Sequence, residues 1–320
     1  MTHFLRTALA AAALVFATTA ADAQLKDSKD VRIAFVVHGA ASGAYWSVVK
    51  RGVDDAAALT GVQAQYIAPE AFDEVQHARL IDAAVASKPD GLVVSIADAD
   101  AMRGPVTRAL AAGIPVVNVD SGEIPGEEMG VTVYVGTVSE YDSGVKAGQR
   151  LAKDGVLKVV CINHEVGNVS LDDRCRGLND GLAPSHGGTE VVAVTNDPAD
   201  ITRRTEAYLT AHPEVQGVFA MGADGANALI PMFKQKELFG KLKLYTFDIS
   251  PQVLDSIIAG EMGFGMDAQQ YLMGFLPVLY LAEHATHGFW PLSDTYTGPL
   301  FIDTPDKAKA ILLLAKKGIR

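Results

Sequence analysis

The sequence is poor in sulfur, in aromatic rings and in positive charge. Two cysteines, Cys161 and Cys175, are all it has in 320 residues. Neither has the spacing or the ligand company of a zinc site, and no repeated CxxC accompanies them. They can form one short-loop disulfide if the chain meets an oxidising compartment, or remain two buried thiols. Lys and Arg number 27 against 38 Asp and Glu, a net charge of -11. That balance argues against nucleic acid and anionic membranes as partners. No apolar run beyond the N-terminus approaches the ~20 residues needed to span a bilayer. Catalytic signatures are missing as well: there is no GxSxG elbow, no Walker loop and no HExxH. The small-residue loop Gly39 to Gly43 follows an apolar run but lacks the GxGxxG spacing of a dinucleotide site.

What is present begins with an export pattern. Arg6 precedes an apolar run from Ala8 to Ala17, and small residues lead to Ala21-Asp22-Ala23. This is an A-x-A cleavage pattern, so residues 1–23 are expected to be a signal peptide and the mature chain to start at Gln24 in the periplasm. No cysteine follows the expected cut, so no lipid anchor is expected.

The rest alternates between strand and helix. Val31 to Val37 is a continuous apolar run, as in a strand buried on both faces, and Tyr45 to Leu59 has helical spacing. Strands at Val62 to Tyr66, Gly91 to Ile96, Pro115 to Val119 and Val131 to Val135 follow, with helices at Asp73 to Ser87 and Ala101 to Ala112. In the second half, Leu157 to Ile162, Glu190 to Val194, Gln216 to Met221, Lys243 to Phe247 and Gly263 to Met266 read as strands. Such alternation predicts parallel sheets covered by crossover helices. Two echoes join the halves. Asp90 to Asp98 resembles Gln216 to Asp224, and Val116 to Asp120 resembles Leu244 to Asp248, at offsets of 126 and 128. The fold expected is α/β, with two Rossmann-like lobes of common plan.

Open parallel sheets bind ligands beyond the carboxyl ends of their strands. The polar and aromatic residues just after the expected strands are therefore the site candidates. His38, Ser42, Tyr45 and Trp46 follow the first strand, with Asp98, Asp120 and Ser121 after later ones. In the second half come His164, Glu165, Asn168 and Arg174, then Asn196 and Asp197, then Asp224 and Asp248. Facing sets of this kind suit a sugar. Carboxylates accept from hydroxyls, Arg donates to them, and aromatic rings cover C–H faces. Plainer roles compete. Trp46 is equally suited to the core. Asp120 and Asp248 could hold turns, Asp98 and Asp224 could cap helices, and Arg174 could pair on the surface with Asp172 or Asp173.

At these residues the sequence resembles the periplasmic sugar-binding proteins of ABC importers, in the ribose-binding-protein-like branch of type I solute-binding proteins. The resemblance rests on Ile33 to Val37, Tyr45-Trp46, Pro115 to Ser121, Tyr134-Val135-Gly136, Arg174 to Leu178, Tyr245 to Asp248 and Met266 to Gln269. It implies two lobes joined by three crossings, near Gly136, Asp267 and Gly298. The N-lobe would span 24–136 plus 268–297, and the C-lobe 137–267 plus 298–320. It assigns ligand contacts to Tyr45, Trp46, Asp120, Arg174 and Asp248. Departures from the family are Ser121, where a long donor is usual, Gly222, where Asn is usual, and Ala268, where Gln is usual and Gln269 is the neighbouring substitute. His38, His164 and Glu165 would supply replacement contacts. The expectation is a monomeric carrier without cofactor that closes on a monosaccharide or sugar-like polyol and delivers it to an importer permease. A sensing role with a chemoreceptor or sensor kinase, and an enzyme of sugar or nucleoside chemistry, are the alternatives. A repressor of similar lobes would need a helix-turn-helix where the export signal stands.

Overall fold

The computed structural model describes residues 25–320, and the expected signal peptide and the start at Gln24 lie outside them. The first sheet is built from β1 (Arg32–Val36), β2 (Gln63–Ile67), β3 (Gly91–Val94), β4 (Val116–Val119) and β5 (Tyr134–Thr137), with α1 (Ala44–Thr60), α2 (Glu74–Ala86), α3 (Ala99–Ala111) and α4 (Glu123–Met129) between them. After α5 (Glu140–Lys153) the second sheet takes β6 (Lys158–Asn163), β7 (Gly188–Ala193), β8 (Gly217–Ala220), β9 (Lys243–Phe247) and β10 (Phe264–Asp267). Its connections are α6 (Val169–Leu182), α7 (Pro198–Ala211), α8 (Ala223–Gln235) and α9 (Pro251–Ile258). Then α10 (Gln270–His287) returns to pack on α1, β11 (Thr295–Gly298) joins the first sheet, β12 (Leu300–Ile302) joins the second, and α11 (Pro305–Lys316) packs on α9.

The two sheets have one plan. Their orders are β11-β5-β4-β3-β1-β2 and β12-β10-β9-β8-β6-β7. All pairings are parallel except β10 with β12. The sequence echoes fall on equivalent elements, β3 with β8 and β4 with β9. Alternate residues of each strand feed opposite faces. Ile33 and Phe35 pack toward α1 and α10, while Ala34 and Val36 pack toward α2 and α3. In the second sheet Val160 and Ile162 meet α7, α8 and α9, and Val159 and Cys161 meet α5 and α6. Burial on both faces is why these strands read as unbroken apolar runs.

The chain passes between the sheets after Thr137, after Asp267 and after Gly298. We propose these passages as the lobe boundaries, within a residue of the 136/137, 267/268 and 297/298 expected from the sequence. The strand expected at Val131 to Val135 begins three residues later, at Tyr134, where its pairing with β4 starts. Two strands, β11 and β12, fell outside the sequence expectations. They are short, and β11 is largely polar.

On the inner face of the second sheet, Cys161 of β6 is joined to Cys175 of α6, with Cα atoms 6.0 Å apart. The loop it closes is short, so the bond is expected to stabilise by about 3 kcal/mol. Reduction, or the double change Cys161→Ala and Cys175→Ala, should lower the denaturant midpoint accordingly. An identical midpoint with and without reductant would mean that the bond does not form in the protein.

Candidate functional site

The carboxyl ends of the two sheets face each other across a cleft. It encloses about 430 Å3 of atom-free space, counting its open mouth. Twelve of the expected residues line it: His38, Tyr45, Trp46, Asp120, His164, Glu165, Asn168, Arg174, Asn196, Gly222, Asp224 and Asp248. Ser170, Leu171, Met221 and Ala223 complete the wall.

Asp120 and Asp248 occupy equivalent places, one residue past β4 and β9. Both have left-handed backbone, φ 65° and 64°. Asp tolerates this region better than most residues because its short side chain bonds locally. The conformation turns the chain sharply off the strand end. Asp120 accepts from Tyr45 Oη at 2.5 Å and from Ser121 Oγ at 2.8 Å. Burial raises its pKa, against the lowering effects of His38 and the Tyr45 bond. Asp248 is drier still. Its Oδ1 is buried with no partner, and burial lifts its pKa to about 8 despite Arg174.

Arg174 is 3% exposed, not a surface residue. Its Nε donates to Glu140 Oε2 at 2.6 Å and its Nη2 to Glu140 Oε1 at 2.9 Å. Nη1 donates to the Met221 carbonyl at 3.1 Å and lies 3.5 Å from Asp248 Oδ2. The guanidinium carbon sits 4.6 Å from the centre of the Phe247 ring, a cation–π arrangement. Glu140 was absent from the sequence candidates. The only signal available was that a buried Arg needs a buried acid. The surface partners suggested for Arg174 are engaged elsewhere: Asp172 accepts from Asn163, and Asp173 pairs with Arg176.

Trp46 serves both roles weighed for it, packing in the core of the first lobe and lining the cleft. A Cβ on Gly39 would overlap its indole, so this position needs glycine. A Cβ on Gly222 would come within 2.8 Å of His164 Cε1, so His164 fills room that a side chain at 222 would otherwise take. His164 Nδ1 is buried without a partner.

Two expectations give way. Ser121 is fully buried behind Asp120, where its Oγ donates to Asp120 Oδ2 and lies 3.4 Å from Asn168 Oδ1 of the other lobe. Gln269 has φ 55°, which points its side chain into the crossings, where Nε2 donates to the Thr297 carbonyl and Oε1 accepts from Arg320. Neither lines the cleft. Asp98 caps α3 as expected, accepting from Asp100 N and Ala101 N. Asp224 does not cap its own helix; Gly222 holds that position.

The lobes touch across the cleft. His38 Nε2 lies 3.5 Å from Glu165 Oε2 and 3.9 Å from Asp120 Oδ2, while Nδ1 is 2.8 Å from Ser95 Oγ. Burial alone would lower the pKa of His38, but Glu165 and Asp120 raise it to about 9. Burial alone would raise that of Glu165, but His38 brings it to about 2. Asn168 Nδ2 lies 3.4 Å from His38 Nε2, and Val169 N donates to the Ala97 carbonyl at 2.9 Å. The cleft is therefore closed.

This architecture, with two like sheets, three passages and a charged cleft between them, is that of a bilobed binding protein. The periplasmic binding protein domain is recognisable over residues 33–288, and the chain belongs to that family. It is 26% identical over 298 residues to the xylose/arabinose-binding protein of Sulfolobus acidocaldarius, covering 89% of this chain and 72% of that one. A carbohydrate transporter of Acidothermus cellulolyticus, solved in complex with myo-inositol, superposes with a TM-score of 0.84 at 30% identity, over 91% of this chain and 99% of that one. An ABC transporter solute-binding protein of Burkholderia graminis, in complex with D-arabinose, does so with a TM-score of 0.79 at 25% identity, over 88% and 98%.

The interlobe charges predict a pH dependence. His38 has its pKa raised from 6.5 to about 9, so its pairing is complete below pH 6.5 and fades as the pH rises through 9. Glu165 is lowered from 4.5 to about 2, so its contribution is complete above pH 4.5 and fades in acid. Asp248, raised from 3.8 to about 8, also makes the closed form less stable as pH climbs between those values. The midpoint of thermal unfolding should thus fall between pH 6.5 and 9.5, and Glu165→Gln should flatten that limb. Equal slopes in the two proteins would refute the pairing.

Proposed function

We propose that the protein is the periplasmic ligand-binding component of an ABC importer and that it closes on a neutral polyhydroxylated ring, a monosaccharide or a cyclitol. The observation that carries this reading is the charge balance of the cleft. Asp120, Asp248, Glu165 and Asp224 line it, while Arg174 already has Nε and Nη2 on Glu140 and Nη1 beside Asp248, and His38 faces Glu165. No cation among the described lining residues is left to neutralise an anionic ligand. Amino acids and sugar acids would bring carboxylates into an acidic, dry space at high cost. Hydroxyls suit it, since each can donate to a carboxylate and accept from Arg174. Tyr45 and Trp46 would cover the ring's apolar face.

The relatives point the same way, being named for xylose and arabinose or solved with myo-inositol and D-arabinose. The ligand would favour closure because only the closed form surrounds it with both carboxylates. The closed shape would then be recognised by the importer's permease. The role is one of binding and release, with no bond made or broken.

Thermal unfolding against neutral pentoses, hexoses and cyclitols, with sugar acids and amino acids alongside, tests the reading. A ligand of micromolar affinity at millimolar concentration should stabilise by about 4 kcal/mol. Asp120→Ala and Asp248→Ala should each abolish the shift while leaving a folded protein. Stabilisation by amino acids or sugar acids instead of neutral polyols would overturn the ligand class. Undiminished shifts in both variants would overturn the site.

A further inference from the structure

The first turn of α1 has no cap of its own. Gly43 stands at the capping position without a side chain, and no Asp or Glu lies in the first turn. The first N–H groups of a helix need acceptors, and its end carries partial positive charge. The acceptor here comes from the other lobe: Ala44 N donates to Asp224 Oδ1 at 2.8 Å. The contact is tight, since a Cβ on Gly43 would sit 3.2 Å from Asp224 Oδ2. Asp224 itself stands in the first turn of α8, whose capping residue Gly222 also lacks a side chain. Two uncapped helix N-termini therefore face each other across the cleft, with one carboxylate between them. Without it, two like partial charges would oppose closure.

We infer that Asp224 is a closure latch, a C-lobe carboxylate that caps the N-lobe helix α1 when the lobes meet and so sets the closed population. Asp224 also lines the cleft, but this bond acts through backbone and not through ligand, which makes the latch a positioning contact. The residues it steadies are Tyr45 and Trp46, which follow Ala44 directly and line the cleft. Opening the lobes would return both helix ends to water, so the bond belongs to the closed form alone. The inference rests on the proposed hinge closure but not on the identity of the ligand.

Two variants remove the bond from opposite sides. Asp224→Ala deletes the acceptor. Ala44→Pro deletes the donor at the first helical position, where proline is well tolerated and extended Gly43, at φ -70° and ψ 154°, suits the residue before it. Lost caps of this kind correspond to roughly 2- to 30-fold in an equilibrium. Spin labels on the two lobes should report that much loss of closed population in the ligand-free protein. Titration with D-arabinose or myo-inositol should show a similar weakening, chiefly as faster release. In the double variant the two losses should not add, and Asp224→Asn, which retains an acceptor, should recover part of the loss. If neither single variant moves the closed population or the affinity by twofold, or if their effects add fully, the latch is refuted even where sugars bind. If the closed population falls while no neutral polyol binds, the latch stands and the ligand reading fails.

Discussion

The buried ion pair between Arg174 and Glu140 is the constraint on which the site depends. A guanidinium removed from water needs a carboxylate in good geometry, and removing one partner of such a pair typically costs ~3–5 kcal/mol. Several features of the C-lobe serve that geometry. Helices α5 and α6 approach so closely that a Cβ on Gly144 would collide with the Arg174 carbonyl, and one on Gly177 with the Tyr141 carbonyl. The disulfide ties Cys175, next to Arg174, to the strand whose end carries His164 and Glu165. Arg174 thus reaches the cleft with its charge already answered and its position fixed. It can direct hydroxyls without attracting anions.

The other half of the design is incomplete satisfaction. In the closed cleft Asp248 Oδ1 and His164 Nδ1 have no partner among the protein's own groups. Each such group carries a desolvation penalty of order 1–3 kcal/mol. The interlobe bonds pull toward closure, and the unpartnered groups push against it. A ligand that supplies partners relieves the second term without weakening the first, which is how binding shifts a two-state population.

Most of the fold was legible because its physics is local. Strands buried on both faces give unbroken apolar runs, helices give their own period, and the rule that parallel sheets bind at their carboxyl ends converts the order of elements into a map of the site. The positions of Asp120 and Asp248 came from the repeat itself. What escaped depends on tertiary approach. Glu140 meets Arg174 only because glycines let two helices touch. Ser121 is buried behind Asp120, and Gln269 is turned from the cleft by its own left-handed backbone, which no sequence pattern announced. Asp224 looked like a helix cap and is one, but for a helix in the other lobe.

The three passages between the sheets have a consequence for speed and affinity. Each half of the site is a weak surface alone, and two separate molecules would lose translational and rotational freedom to come together around a ligand. Here the halves are tethered at three points along one edge, so each sees the other at a high effective concentration whatever the abundance of the protein. Capture becomes two events of different order: a bimolecular encounter of ligand with one exposed half, then a concentration-independent folding over. Release runs through the same door, and its rate is set by how often the tethered halves part.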